Sequence, residues 1–179
     1  GEQHLPRIAT SAGQLYSARG NIDTLAEVEL PDTLVTLPGE LSDLERMMQQ
    51  TQLAVAAFKA GLAVGVNLEI GGFDTHANHD VAQVRQLAKL LAGVDFLMSE
   101  AEAAGIAGDL VVMMGSDFAR GPGYNADNQY GGKDHWSISS AMVMGRGVAG
   151  NRVVGATTDD QLARAVDNQY GGKDHWSIS

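Results

Sequence analysis

Two short apolar runs with a helical stripe between them constrain the fold most. Residues 63–70 read AVGVNLEI and residues 109–115 read DLVVMMG, and each runs into glycine. Between them Val81, Val84, Leu87, Leu91, Val94, Met98 and Ala101 recur at three- and four-residue steps, one face of an amphipathic helix. Asn78 and Asp80 are candidate caps for it, and Gly105 a stop. Strands apolar on both faces need helices on both sides. The order strand–loop–helix–strand therefore predicts an α/β fold, a mostly parallel doubly wound sheet flanked by helices.

An earlier helix is marked by Leu41, Leu44, Met48, Thr51, Val55, Phe58 and Leu62, with Ser42 and Asp43 at its start. Residues 9–19 read as a short helix. Segments 139–144 and 152–156 are further apolar runs, and 158–166 reads as a helix capped by Thr158 or Asp159. Residues 1–166 make one α/β domain on this reading. The thirteen residues DNQYGGKDHWSIS at 127–139 recur identically at 167–179. Solenoids repeat a whole supersecondary unit at a fixed period, so this single copy reads as an appended tail or an artefact of duplication. His175 within it could take the place of His135 in a neighbouring chain.

Composition bounds the function. Twelve Lys and Arg stand against 22 Asp and Glu, a net charge of −10. That excludes the basic footprint a nucleic-acid partner requires. There are no cysteines, so disulfides, thiolate zinc sites and cysteine nucleophiles are out, and any metal must be held by nitrogen and oxygen. No run of 18 apolar residues offers a membrane span.

Chemistry-bearing residues gather in the two loops that follow the predicted strands, 71–79 and 115–135. Ligands in such sheets bind at the carboxyl ends of the strands, so both loops are expected at one rim. They hold His76, His79 and His135 beside Asp74, Asp117 and Asp134. In extended chain Asp74 and His76 point to the same side about 7 Å apart, which suits two donors for one cation. The same loop residues also serve turns and caps, and Asp117 in GSDFAR reads equally as a turn residue. Arg120 could pair with Asp117 or grip an anionic substrate. Imidazole and carboxylate together suit zinc or manganese, while a carboxylate-dominated site suits magnesium or calcium.

The phrases GGFDTH, VVMMGSDFAR, GGKDHW and AMVMGRGVAGNRVVGAT, in that order over about residues 40–160, resemble domain-of-unknown-function family 1501, placed in the alkaline phosphatase and sulfatase superfamily. The resemblance implies an alkaline-phosphatase-like fold with a two-metal site at the strand ends and a divalent cation, zinc first. By position Asp74, His76 and His135 look like ligands of one metal and Asp117 a ligand of the second. His79 is an alternative to His76 or an outer partner. Arg120 would clamp the oxygens of a small anionic ester. Export to the periplasm or beyond is implied too. The superfamily's nucleophile and its early aspartate are not found in residues 1–40, so the chain reads as the C-terminal part of a longer domain. The expected function is a metal-dependent hydrolase of phosphate or sulfate esters. The alternative is a non-catalytic exported binding or structural protein that keeps the fold and one cation.

Overall fold

The computed structural model describes residues 28–125, 131–162, 166–167 and 173–174. The helix expected over 9–19 lies outside the described residues. The chain is mixed α/β. It forms two compact units, one within residues 1–72 and 85–107, the other within 73–84 and 108–179.

In the first unit a 3-10 turn, Gly39–Leu41, leads into α1, Ser42–Lys59. Asp43 and Glu45 in its first turn and Lys59 in its last complement the helix dipole. The apolar stripe is buried as expected at Leu44, Thr51 and Val55, but rotated so that Met47, not Met48, reaches the core. Thr51 is fully buried and donates its hydroxyl hydrogen to Met47 O at 2.9 Å, which satisfies it without leaving the helix. The second helix, α2, spans His79–Ala103, and its later part buries Val94, Leu97 and Ala101. Gly93 makes room for α1: a Cβ there would sit 2.5 Å from Met47 Sδ. The early stripe residues Val81, Val84, Leu87 and Leu91 are exposed.

The polar side of α1 holds the preceding chain. Gln49 Nε2 donates to Val35 O at 2.8 Å, and Val35 N donates to Gln52 Oε1 at 2.9 Å. Leu37 N donates to Glu45 Oε2, and Glu69 N to Gln50 Oε1. Residues 63–70, expected as a strand, carry no strand pairing, and Val64 and Val66 are exposed. The chain then turns at Gly72, whose φ of 86° is open to glycine and whose missing Cβ leaves space for the Gln86 amide.

The second unit holds the strands: β1 Val111–Gly115, β2 Ala119–Arg120, β3 His135–Trp136, β4 Ala141–Gly145, β5 Val166–Asp167 and β6 Lys173–Asp174. All three ladders among the described residues are antiparallel: β1 with β4, β2 with β3, β5 with β6. The runs expected at 109–115 and 139–144 are therefore strands, but they pair with each other and not in parallel. Between them the described residues hold the short β2–β3 pair and no helix, whereas parallel neighbours are usually joined through one. Val111, Met113, Met142 and Val143 are also exposed; a continuous apolar run does not by itself report burial on both faces.

Residues 152–156 form no ladder. No helix opens at Thr158: Leu162 N donates to its Oγ1 at 3.1 Å, and Thr158 N donates back to Leu162 O. That closes a turn instead of opening a helix, and the chain is in strand β5 by Val166. No described helix is long and apolar enough to cross a membrane.

Candidate metal centre

The two-residue ladder β2–β3 sets the site. Ala119 pairs with Trp136 and Arg120 with His135. Residues directly opposite in an antiparallel pair put their side chains on one face, so Arg120 and His135 project together. Segment 73–76 is fastened beside them: Lys133 N donates to Thr75 O at 3.2 Å and His79 N to Gly131 O at 3.1 Å.

Asp74, His76 and His135 converge, each offering a donor atom within 4.8 Å of the others. Asp74 Oδ1 lies 3.1 Å from His76 Nε2 and 3.7 Å from His135 Nε2. Donors of a tetrahedral zinc at 2.0–2.1 Å stand about 3.3 Å apart, so both separations bracket one ligand edge. The donor set, two imidazoles and a carboxylate without sulfur, could hold a metal ion. All three residues are exposed, which leaves room for an incoming ligand.

Arg120 organises these donors. Its side chain is about 10% exposed. Nη2 donates to Asp74 Oδ1 at 2.5 Å and to Phe73 O at 3.2 Å; Nη1 donates to Lys133 O at 3.1 Å and meets His76 Nε2 at 3.3 Å. Arginine carries only donors, so Nε2 accepts in that contact and the ring proton is on Nδ1. Nδ1 faces Asp134 Oδ1 at 3.3 Å, while Asn125 Nδ2 donates to the same oxygen at 3.0 Å. An imidazole whose far nitrogen faces a carboxylate is the usual arrangement behind a metal-ligating histidine. Asp134 is thus an outer partner that sequence reasoning placed only beside the histidines. Its adjacency to His135 was the available signal, but the contact it makes is with His76.

The hydrogen bond from Arg120 holds the Asp74 carboxyl below the ordinary range, against desolvation, and the guanidinium charge adds to it. Asp74 is therefore ionised and ready to ligate. His135 stacks on Phe118, centroids 4.0 Å apart at 28°, and lies 5.2 Å from the His76 ring. The anion clamp expected of Arg120 is not what these contacts do: both terminal nitrogens are engaged by the site's own groups.

His79 and Asp117 stand outside the cluster. His79 Nδ1 lies 2.8 Å from Thr75 Oγ1, and Gln83 Nε2 donates to that hydroxyl at 2.9 Å. The hydroxyl also reaches Phe73 O at 3.5 Å, so it bonds either tautomer of His79, and burial, followed by the charge of Lys133, pushes the imidazole pKa down. Buried Thr75 is thereby fully satisfied, and His79 braces the loop at the start of α2. Asp117 Oδ1 accepts from Phe118 N at 3.1 Å, and Ser116 Oγ donates to Phe118 O at 2.8 Å. These are turn contacts between β1 and β2. Tyr124 closes the far side: its hydroxyl contacts both Asp80 oxygens at 2.7 and 3.0 Å, which pushes the phenol pKa up, and Lys133 Nζ lies 4.8 Å over its ring.

No curated protein and no solved structure matches the chain. One family model does, described as protein of unknown function (DUF1501), over residues 18–176, which takes in the loop of Asp74 and His76, the β2–β3 ladder and the turn at Thr158: the chain belongs to that family.

Proposed function

We infer that the chain is a metal-dependent hydrolase of phosphate or sulfate esters. The convergence of Asp74, His76 and His135 carries this reading. These three residues would hold one divalent cation. Zinc is favoured by the imidazole-rich donor set, with manganese, calcium and magnesium as alternatives. When bound, such a cation supplies Lewis acidity toward an anionic ester oxygen. Arg120 fixes Asp74 and would release the His76 Nε2 lone pair to the cation, Asp134 fixes the His76 proton, and Phe118 limits the tilt of His135. A second cation at Asp117 has less support, because that carboxylate bonds its own turn.

The finer expectations belong to the same proposal: the alkaline phosphatase and sulfatase superfamily, a mostly parallel doubly wound sheet in the complete domain, and export to the periplasm or outside. What supports them is the order of GGFDTH, GSDFAR, KDHW and GATTD along the chain. A second reading, a non-catalytic binding or structural protein with one cation, is favoured by a specific observation. The Arg120 guanidinium, which bonds Asp74, is already engaged by the site's own groups.

The test is zinc content and zinc calorimetry on the full chain, followed by turnover of 4-nitrophenyl phosphate and sulfate. One bound zinc, lost in both Asp74→Asn and His76→Ala, is expected. Turnover lost with the metal establishes the hydrolase. Binding without turnover leaves the non-catalytic reading, and no binding in the parent chain refutes both.

A further inference from the structure

The β1–β4 ladder carries four of the chain's seven methionines, Met113 and Met114 on one strand, Met142 and Met144 on the other. Its register sorts them onto two faces. Met114 stands directly opposite Met142, and Val112 directly opposite Met144. Alternate residues of a strand share a face, so Met114, Met142 and Met144 lie on one side of the ladder. Met113, directly opposite Val143, lies on the other.

This spacing lets three thioethers meet. Directly opposite Cβ atoms stand about 4.5–5.5 Å apart, and diagonal neighbours about 7–8 Å. Methionine is unbranched and turns about three side-chain bonds, so sulfurs that start this close can reach one ion. Burial argues against a purely space-filling role. Met114 and Met144 are partly buried, but Met142 is 52% exposed. Two sulfurs are sheltered and the third faces water, which gives an ion a way in. The chain has no cysteine, so thioethers are its only soft donors.

We propose that Met114, Met142 and Met144 form a site for one soft monovalent cation, Cu(I), with a donor set separate from Asp74, His76 and His135. Thioether sulfur suits Cu(I), whereas carboxylate and carbonyl oxygen suit magnesium, calcium and manganese. The ion stays Cu(I) throughout, so no electron is exchanged. The site stands whether or not the Asp74 cluster holds a metal.

Silver(I), a soft monovalent ion without the redox chemistry of copper, is the probe. The full chain, isotope-labelled at its methionine methyl groups, is titrated with silver nitrate in chloride-free buffer, with zinc in excess to occupy nitrogen and oxygen donors. The Met114, Met142 and Met144 methyl resonances should move together and stop at one silver per chain. That of Met113, the most exposed of the four at 72%, should stay in place. Shifts that follow exposure, Met113 first, would mean indiscriminate thioether binding and overturn the proposal, as would no shift at one equivalent. This reading is taken on the parent chain and does not depend on a variant folding.

Variants then test the donors. Leucine keeps close to the volume of methionine, so Met142→Leu and Met113→Leu should both fold. Met113→Leu should bind silver like the parent, and Met142→Leu should lose the one-to-one step. Anaerobic competition with bicinchoninate should give the same order for Cu(I). A Met142→Leu chain that binds either ion as the parent does would refute the site.

Discussion

His76 is fixed from both sides: Asp134 Oδ1 stands 3.3 Å from Nδ1, and Arg120 Nη1 stands 3.3 Å from Nε2. The ring is thus oriented before any cation arrives, and a cation on Nε2 would take over the lone pair that now meets Arg120 Nη1.

Asp134 should matter to metal affinity although it is not a donor to the cation. Asp134→Asn is expected to weaken zinc binding roughly 10–100-fold, measured by competition with a chelating dye. An affinity equal to the parent's would show that the carboxylate only ties down Asn125.

Arg120→Lys keeps a positive charge but gives up the planar fork that reaches Phe73 O, Lys133 O and Asp74 together. The side chain is nearly enclosed, so two carbonyls would lose their donor. The urea midpoint should fall by the equivalent of about 1–3 kcal/mol. A lysine variant as stable as the parent would contradict the positioning role.

Acid should weaken the brace at the start of α2. The His79 imidazole is pushed below its ordinary value by burial, so the folded state takes up a proton less readily than the unfolded one. Its contribution is complete above about pH 6.5 and is lost as pH falls from there through the lowered folded-state pKa. Urea midpoints from pH 7.5 to 5.5 should decline in the parent and decline less in His79→Asn. Equal slopes in the two proteins would rule His79 out.

Gly145 is the position least able to change. Its φ is 118°, and a Cβ would lie 2.2 Å from Leu110 O, a backbone atom that cannot step aside. Gly145→Ala should cost about 2–4 kcal/mol, from strain and the clash together. Gly108→Ala, which meets nothing within 4 Å, should stay within about 0.5 kcal/mol of the parent. Thermal unfolding of the two variants makes the comparison.

Both helices were legible because their stripes run for several turns and only one element has that period. Asp74 and His76 were legible because alternate residues of an extended loop share a side. Pairing was not. A run such as VVMMG states that a strand exists, but its partner and direction depend on where a distant segment returns. Asp117 read equally as a ligand and as a turn residue, because an aspartate just after a strand has a backbone N–H within reach, and here it takes that of Phe118. Gln49 and Gln52 gave no sign in advance, because a surface glutamine on a helix carries no period.

Those two glutamines have a consequence for how the protein behaves in a crowded solution. Val35 would ordinarily show a neighbouring molecule one unpaired N–H and one unpaired C=O, the template from which edge-to-edge sheet growth starts. In this fold both groups are already taken by side-chain amides of a helix. The helix imitates a neighbouring strand without being one, and leaves neither backbone group of Val35 open to a further strand.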